Sequence, residues 1–124
     1  MAKFKVVASK VGSTEVAGRS AYHLENEALS AIGAEIIEID ADSDEEYLEK
    51  AKDTDAIISG RKLNRAVIEG LNKCKVISLG SVGTDGVDVE AATEKGIAVT
   101  NVPDTFIEEV ADHTIALMMS TYRR

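Results

Sequence analysis

Glycines at positions 80, 83 and 86 punctuate the run Leu79-Gly80-Ser81-Val82-Gly83-Thr84-Asp85-Gly86-Val87-Asp88. Glycine lets a backbone come close to a ligand, and consecutive free N–H groups can hold a carboxylate. The run is not a dinucleotide fingerprint, because G-x-G-x-x-G needs glycine gaps of two then three and these are three and three. A second candidate is Ser59-Gly60-Arg61-Lys62, where a glycine and two cations can meet an anion; the plain alternative is a solvated face. The third is Ser9 to Arg19, rich in small, hydroxylated and glycine residues. Its glycines at 12 and 18 would let backbone N–H groups take a phosphate, as a flavin mononucleotide loop does; the plain alternative is a solvated loop.

Other chemistries fail by inventory. His23 and His113 have no Cys or paired His at metal-ligand spacing, and Cys74 is the lone cysteine, so the sequence offers neither a zinc cage nor an internal disulfide. There is no G-x-S-x-G elbow. The acids Asp40, Asp42, Asp44, Glu45 and Glu46 suit the start of a helix, where negative charge complements the dipole, better than a cation site. A net charge of −8 argues against duplex nucleic acid, which needs a basic face. No apolar run is long enough to span a bilayer, and Met1-Ala2-Lys3-Phe4-Lys5 lacks a signal-peptide pattern. The expectation is one cytoplasmic domain with no metal, nucleic-acid or membrane partner.

The elements that must position these residues follow from periodicity. Short apolar, β-branched runs at Phe4–Ala8, Ile36–Ile39, Ala56–Ile58, Val76–Leu79 and Ile97–Val99 read as strands covered on both faces. Between them lie helical patterns. Ser20 to Ile32 carries Tyr22, Leu24, Ala28, Leu29 and Ile32, with Gly33 as the terminating glycine. Ser43 with Glu46 forms a capping box ahead of Tyr47–Ala51; Asn64 caps Arg65–Leu71, and Asp88 caps Val89–Lys95, closed by Gly96. Thr105 with Glu108 forms a second box for a long last helix, Phe106 to about Tyr122. Alternating strands and helices in 124 residues predict an α/β fold: a doubly wound, parallel, five-stranded sheet in the flavodoxin-like order, with a long C-terminal helix. That last helix spreads apolar side chains over more than half its circumference, more than one sheet face needs, so Met118, Met119 and their neighbours are expected to meet something beyond this sheet.

From about Asp55 onward the chain resembles the N-terminal, substrate-binding part of the NAD-dependent D-isomer-specific 2-hydroxyacid dehydrogenases. The resemblance runs through Leu63–Ile68, Lys75–Ser78, Ser81–Asp88, Ala91–Asp104 and Glu108–His113 in family order and spacing. It implies a single flavodoxin-like lobe over 1–124, in which residues 105–124 form the hinge helix leading to a coenzyme domain and often to a second subunit. It implies that the N–H groups of Val82 and Gly83 hold the carboxylate of a 2-keto or 2-hydroxy acid, with Ser59, Gly60, Arg61 and Ser81 lining the same cleft. Two positions depart from the family, which often carries Arg where Leu79 stands and Asn where Gly86 stands. The family's G-x-G-x-x-G loop and catalytic Arg, Glu and His lie downstream of this helix. The expectation is therefore a truncated substrate lobe, inactive alone, with no coenzyme in this chain (NAD in the full-length family) and weak or no substrate binding by itself. Its apolar 105–124 helix is expected to pair two copies in a homodimer. The alternative is a stand-alone phosphate- or FMN-binding or protein-interaction module.

Overall fold

Valine and isoleucine stiffen the backbone toward the extended state, whereas capped amphipathic stretches favour helix. The computed structural model describes residues 4–10 and 21–123. In them β1 (Phe4–Ser9), α1 (His23–Ser30), β2 (Ala34–Ile39), α2 (Asp44–Ala51), β3 (Ala56–Ser59), α3 (Arg65–Gly70), β4 (Val76–Leu79), α4 (Val89–Glu94), β5 (Ala98–Thr100) and α5 (Ile107–Tyr122) alternate. All strand pairs are parallel and the order is β2-β1-β3-β4-β5, the doubly wound arrangement expected from the sequence.

Register aligns one row of side chains across the sheet: Ile37, Val7, Ile57, Ile77 and Val99 sit side by side on successive strands. On that face Val7, Ile57 and Ile77 are fully buried against Tyr47 and Ala51 of α2, Val67 and Ile68 of α3, and Ala91 and Ala92 of α4. The opposite face carries Phe4, Val6, Ala56 and Val76, and α1 with the turn after it meets it at an apolar groove through Leu29 and Ile32. Three expected caps form: Ser43 Oγ accepts from the Glu46 N–H, Asn64 Oδ1 from Val67 and Asp88 Oδ1 from Ala91, at 2.9–3.1 Å. The Glu46 carboxylate accepts from the Asp42 N–H, one residue before the cap itself. Gly33 and Gly96 both adopt positive φ just after a helix, the conformation their positions required.

Two expectations give way. The face expected to bury α1 is mostly open: Leu24 and Ile32 are more than half exposed, and only Tyr22 is buried, its hydroxyl donating to the Ser9 carbonyl at 2.6 Å. The helix lies over the sheet's β2 edge, so most of its circumference has no strand beneath it. The Thr105/Glu108 capping box is also absent. α5 begins after Phe106, whose left-handed backbone (φ 67°) turns the chain there, and no side chain caps the first turn. A bulky residue in that region is strained. Every residue of α5 is exposed, so the helix covers no part of this sheet. No helix among the described residues is long and apolar enough to cross a membrane.

Cys74 is 4% exposed and its thiol lies 3.4 Å from the Val76 carbonyl. Burial pushes the thiol's pKa up, so it is neutral at pH 7. Labelling by an aromatic disulfide reagent at pH 7.5, followed by absorbance, should be about 100-fold slower or more in the native protein than in urea. Equal rates would mean that the α3–β4 corner opens freely.

Candidate functional site

In an open α/β sheet the crevice for ligands lies beyond the carboxyl ends of the strands. β3 ends at Ser59 and β4 at Leu79, and the two loops that follow are tied to one another. The Leu63 N–H donates to the Gly86 carbonyl at 2.7 Å, and the Asp88 N–H donates to the Leu63 carbonyl at 3.0 Å. Leu63 and Val87 thereby form a one-residue parallel bridge outside the main sheet. The same second loop is braced from β5's side, because the Val102 N–H donates to the Ser81 carbonyl at 3.0 Å and Asn101 Nδ2 to the Val82 carbonyl at 2.7 Å.

Between the tied loops lies a pocket of about 400 Å³. Four of the six residues expected to bind substrate, Ser59, Gly60, Arg61 and Ser81, line it together with Leu79 and Gly86. Val82 and Gly83 stand outside its walls, further along the same loop, with Val82 43% exposed. Among the described residues neither of their N–H groups is donated to a protein acceptor. A Cβ added at Gly80 or Gly86 would meet nothing within 4 Å, so the backbone there faces open space that a ligand can enter. Ser59 Oγ is spent on the Arg61 carbonyl (2.8 Å) and Ser81 Oγ on the Gly83 carbonyl (2.9 Å). Both hydroxyls shape their turns and keep lone pairs for a further donor.

Arg61 is turned the other way. Its guanidinium pairs with Asp44 Oδ1 at 2.7 Å, donates to the Ala41 carbonyl at 3.2 Å, and lies 4.7 Å above the centre of the Tyr47 ring. Its charge is therefore committed to the start of α2, and Leu79, only 6% exposed, adds no cation to the β3–β4 pocket. Sequence reasoning did not find the Arg61–Tyr47 stack or the Asn101 brace. Residues 14 and 19 positions apart carry no local signal of contact. The acidic run serves as a helix start, with Asp44 held by Arg61 and Asn64 and Glu46 paired to Lys50 at 2.6 Å. His113 lies exposed on α5, and no group of three or more His, Cys, Asp or Glu among the described residues could hold a metal ion. The candidate phosphate loop falls mostly on residues 11–20, which lie outside the described residues.

A family model described as D-isomer specific 2-hydroxyacid dehydrogenase, catalytic domain, matches residues 16–122. The D-3-phosphoglycerate dehydrogenase of Methanocaldococcus jannaschii is 52% identical over 81 residues, which are 64% of this chain and 16% of that protein. The glyoxylate reductase of Pyrococcus furiosus is 40% identical over 81 residues, 64% of this chain and 24% of that one. Among solved structures, the PH0520 protein from Pyrococcus horikoshii OT3 superposes with a TM-score of 0.71 at 31% identity, over 92% of this chain and 32% of its own. An NAD-dependent formate dehydrogenase from Staphylococcus aureus, solved with NAD, gives 0.71 at 27% identity over 93% and 37%. The chain spans about a sixth to a quarter of the length of these two curated relatives.

Proposed function

The chain belongs to the D-isomer specific 2-hydroxyacid dehydrogenase family, and from that premise we propose that it forms the substrate-binding lobe of an NAD-dependent oxidoreductase acting on 2-keto and D-2-hydroxy acids. The observation that carries this reading is the pair of undonated N–H groups at Val82 and Gly83, beside a pocket that Ser59, Gly60, Arg61 and Ser81 line. Two adjacent N–H groups suit a carboxylate, and charge-assisted bonds of this kind are the stronger sort. The lobe's task is then to hold and orient the acid's carboxylate.

The residues present do not fit the coenzyme. The 124 residues contain no G-x-G-x-x-G turn. The starts of α3 and α4, which follow the two site loops, are already capped by Asn64 and Asp88, so neither offers the open helix N-terminus a pyrophosphate uses. No hydride step is placed in this lobe. The expected results are that the 124-residue chain does not oxidise NADH when given glyoxylate, and that glyoxylate alone shifts the amide resonances of Val82 and Gly83 with an affinity in the millimolar range, ~4 kcal/mol. Turnover above buffer would overturn the inactivity, and unmoved Val82 and Gly83 resonances would overturn the cradle.

The partner reading is a homodimer through α5. Phe106, Ile107, Val110, Leu117, Met118 and Tyr122 are each more than half exposed along a helix of about 24 Å. Contiguous apolar surface of this kind on a soluble protein marks an interaction site. A matching helix from a second copy covers it with the same chemistry, and self-complementary pairing about a two-fold axis is the commonest closed arrangement. A cytoplasmic setting accords with a lone, buried, unpaired thiol.

A further inference from the structure

A second cavity, of about 470 Å³, opens at the carboxyl ends of β1, β2 and β3. It shares only the Gly60–Lys62 turn with the β3–β4 pocket. It lies where β1 is flanked by β2 on one side and β3 on the other, the point at which the strand order reverses and an open sheet leaves a crevice. Its volume falls in the range that takes a small molecule.

The charge there runs against that of the whole chain, which is −8. Arg61 and Asp44 cancel one another across the cavity wall, and Asn64 Nδ2 occupies the other Asp44 oxygen at 2.6 Å. What remains is Lys10 and Lys62, neither with an ion pair among the described residues, against the single carboxylate of Asp40, likewise unpaired. Two further wall residues, Ser9 and Tyr47, carry buried hydroxyls that meet no hydrogen-bond partner among the described residues. Burial pushes the Tyr47 hydroxyl's pKa up to about 12, so it keeps its proton at neutral pH and can only gain by finding an acceptor. Among the described residues the cavity sets two unpaired cations against one unpaired carboxylate, a balance that suits a negatively charged group.

We propose that this cavity binds a small molecule through a phosphate or carboxylate group, with Lys10 and Lys62 as its cationic partners and the Ser9 and Tyr47 hydroxyls buried in the wall behind them. The site is distinct from the carboxylate cradle at Val82 and Gly83, and it does not depend on the dehydrogenase reading. Occupied, it would restrain the turn that also forms one wall of the β3–β4 pocket.

The test titrates the ¹⁵N-labelled 124-residue chain with inorganic phosphate and, separately, with citrate, each against sodium chloride at matched ionic strength. The expected result is saturable shifts at the Lys10, Ile39 and Asp40 amides, with the stronger of the two arms naming the oxyanion. Lys10 is exposed and lies outside the β3–β4 pocket, so Lys10→Gln should leave the fold and the glyoxylate response intact while weakening phosphate or citrate binding by about tenfold. The proposal is overturned if neither anion saturates below about 50 mM. It is equally overturned if Lys10→Gln leaves the affinity unchanged, or if the shifts gather at Val82 and Gly83 instead.

Discussion

Leu63→Ala should lower the stability of the chain by about 2–5 kcal/mol, the range for truncating a fully buried leucine. Leu63 has no exposed surface and belongs to the central cluster, yet it sits in a loop, not in a strand or helix. Its backbone is bonded on both sides to the loop that follows β4, at Gly86 and Asp88. The leucine side chain therefore anchors the stitch that fixes one glycine-bearing loop against the other. Removing it leaves a cavity under the stitch and frees both walls of the β3–β4 pocket, so the glyoxylate response at Val82 and Gly83 should weaken along with stability. Urea unfolding followed by far-ultraviolet circular dichroism measures the first effect and amide shifts the second. Leu63→Met, which keeps the volume, should cost less than about 1.5 kcal/mol and preserve both. A Leu63→Ala protein within about 1 kcal/mol of the parent would show that the loops hold each other by backbone bonds alone.

Replacing Leu117 and Met118 together by Glu should convert a dimer into a monomer and weaken association by about 100-fold or more, because two carboxylates would be desolvated without partners. Both residues are more than half exposed and fall within the apolar arc of α5. Since that helix covers no part of the sheet, the substitutions should leave the urea midpoint of a dilute, monomeric sample where it was. Light scattering with sedimentation at tens of micromolar reads the mass. A parent chain that is already monomeric at that concentration would remove the dimer reading, and a fall in the monomer's own stability would show α5 folding back on its sheet.

Most of the local architecture is legible in the sequence because its causes are local. A Ser, Asn or Asp cap acts within three residues, as Ser43, Asn64 and Asp88 do, and Gly33 and Gly96 mark their turns because few other residues tolerate positive φ. The Thr105/Glu108 pattern had the same form and failed. The backbone reversal at Phe106 sets where α5 starts, and a cap motif has no say over the direction in which a helix leaves its domain. The apolar face of α1 misled for a related reason: periodicity reports that a face is apolar, and the position over the β2 edge decides how much of it is covered.

The candidate site divides along the same line. Residue types and glycine spacing picked out Ser59–Lys62 and the Leu79–Asp88 run, the family resemblance narrowed them to Ser59–Arg61 and Ser81–Gly83, and strand order placed both groups at one end of the sheet. Hydrophobic periodicity likewise determined the alternation of strand and helix, the parallel sheet and the unusual breadth of the apolar arc on the last helix. Only the tertiary structure decided that Leu63 staples the two loops, that Asn101 braces Val82, and that Arg61 turns from the first pocket to Asp44 and Tyr47. It alone brought Lys10 of β1's end beside Lys62 beyond β3. Backbone propensity and capping act over a few residues and are written into neighbouring side chains. Which cation stays unpaired, and which pocket it faces, depends on every charge the fold brings near it from distant parts of the chain.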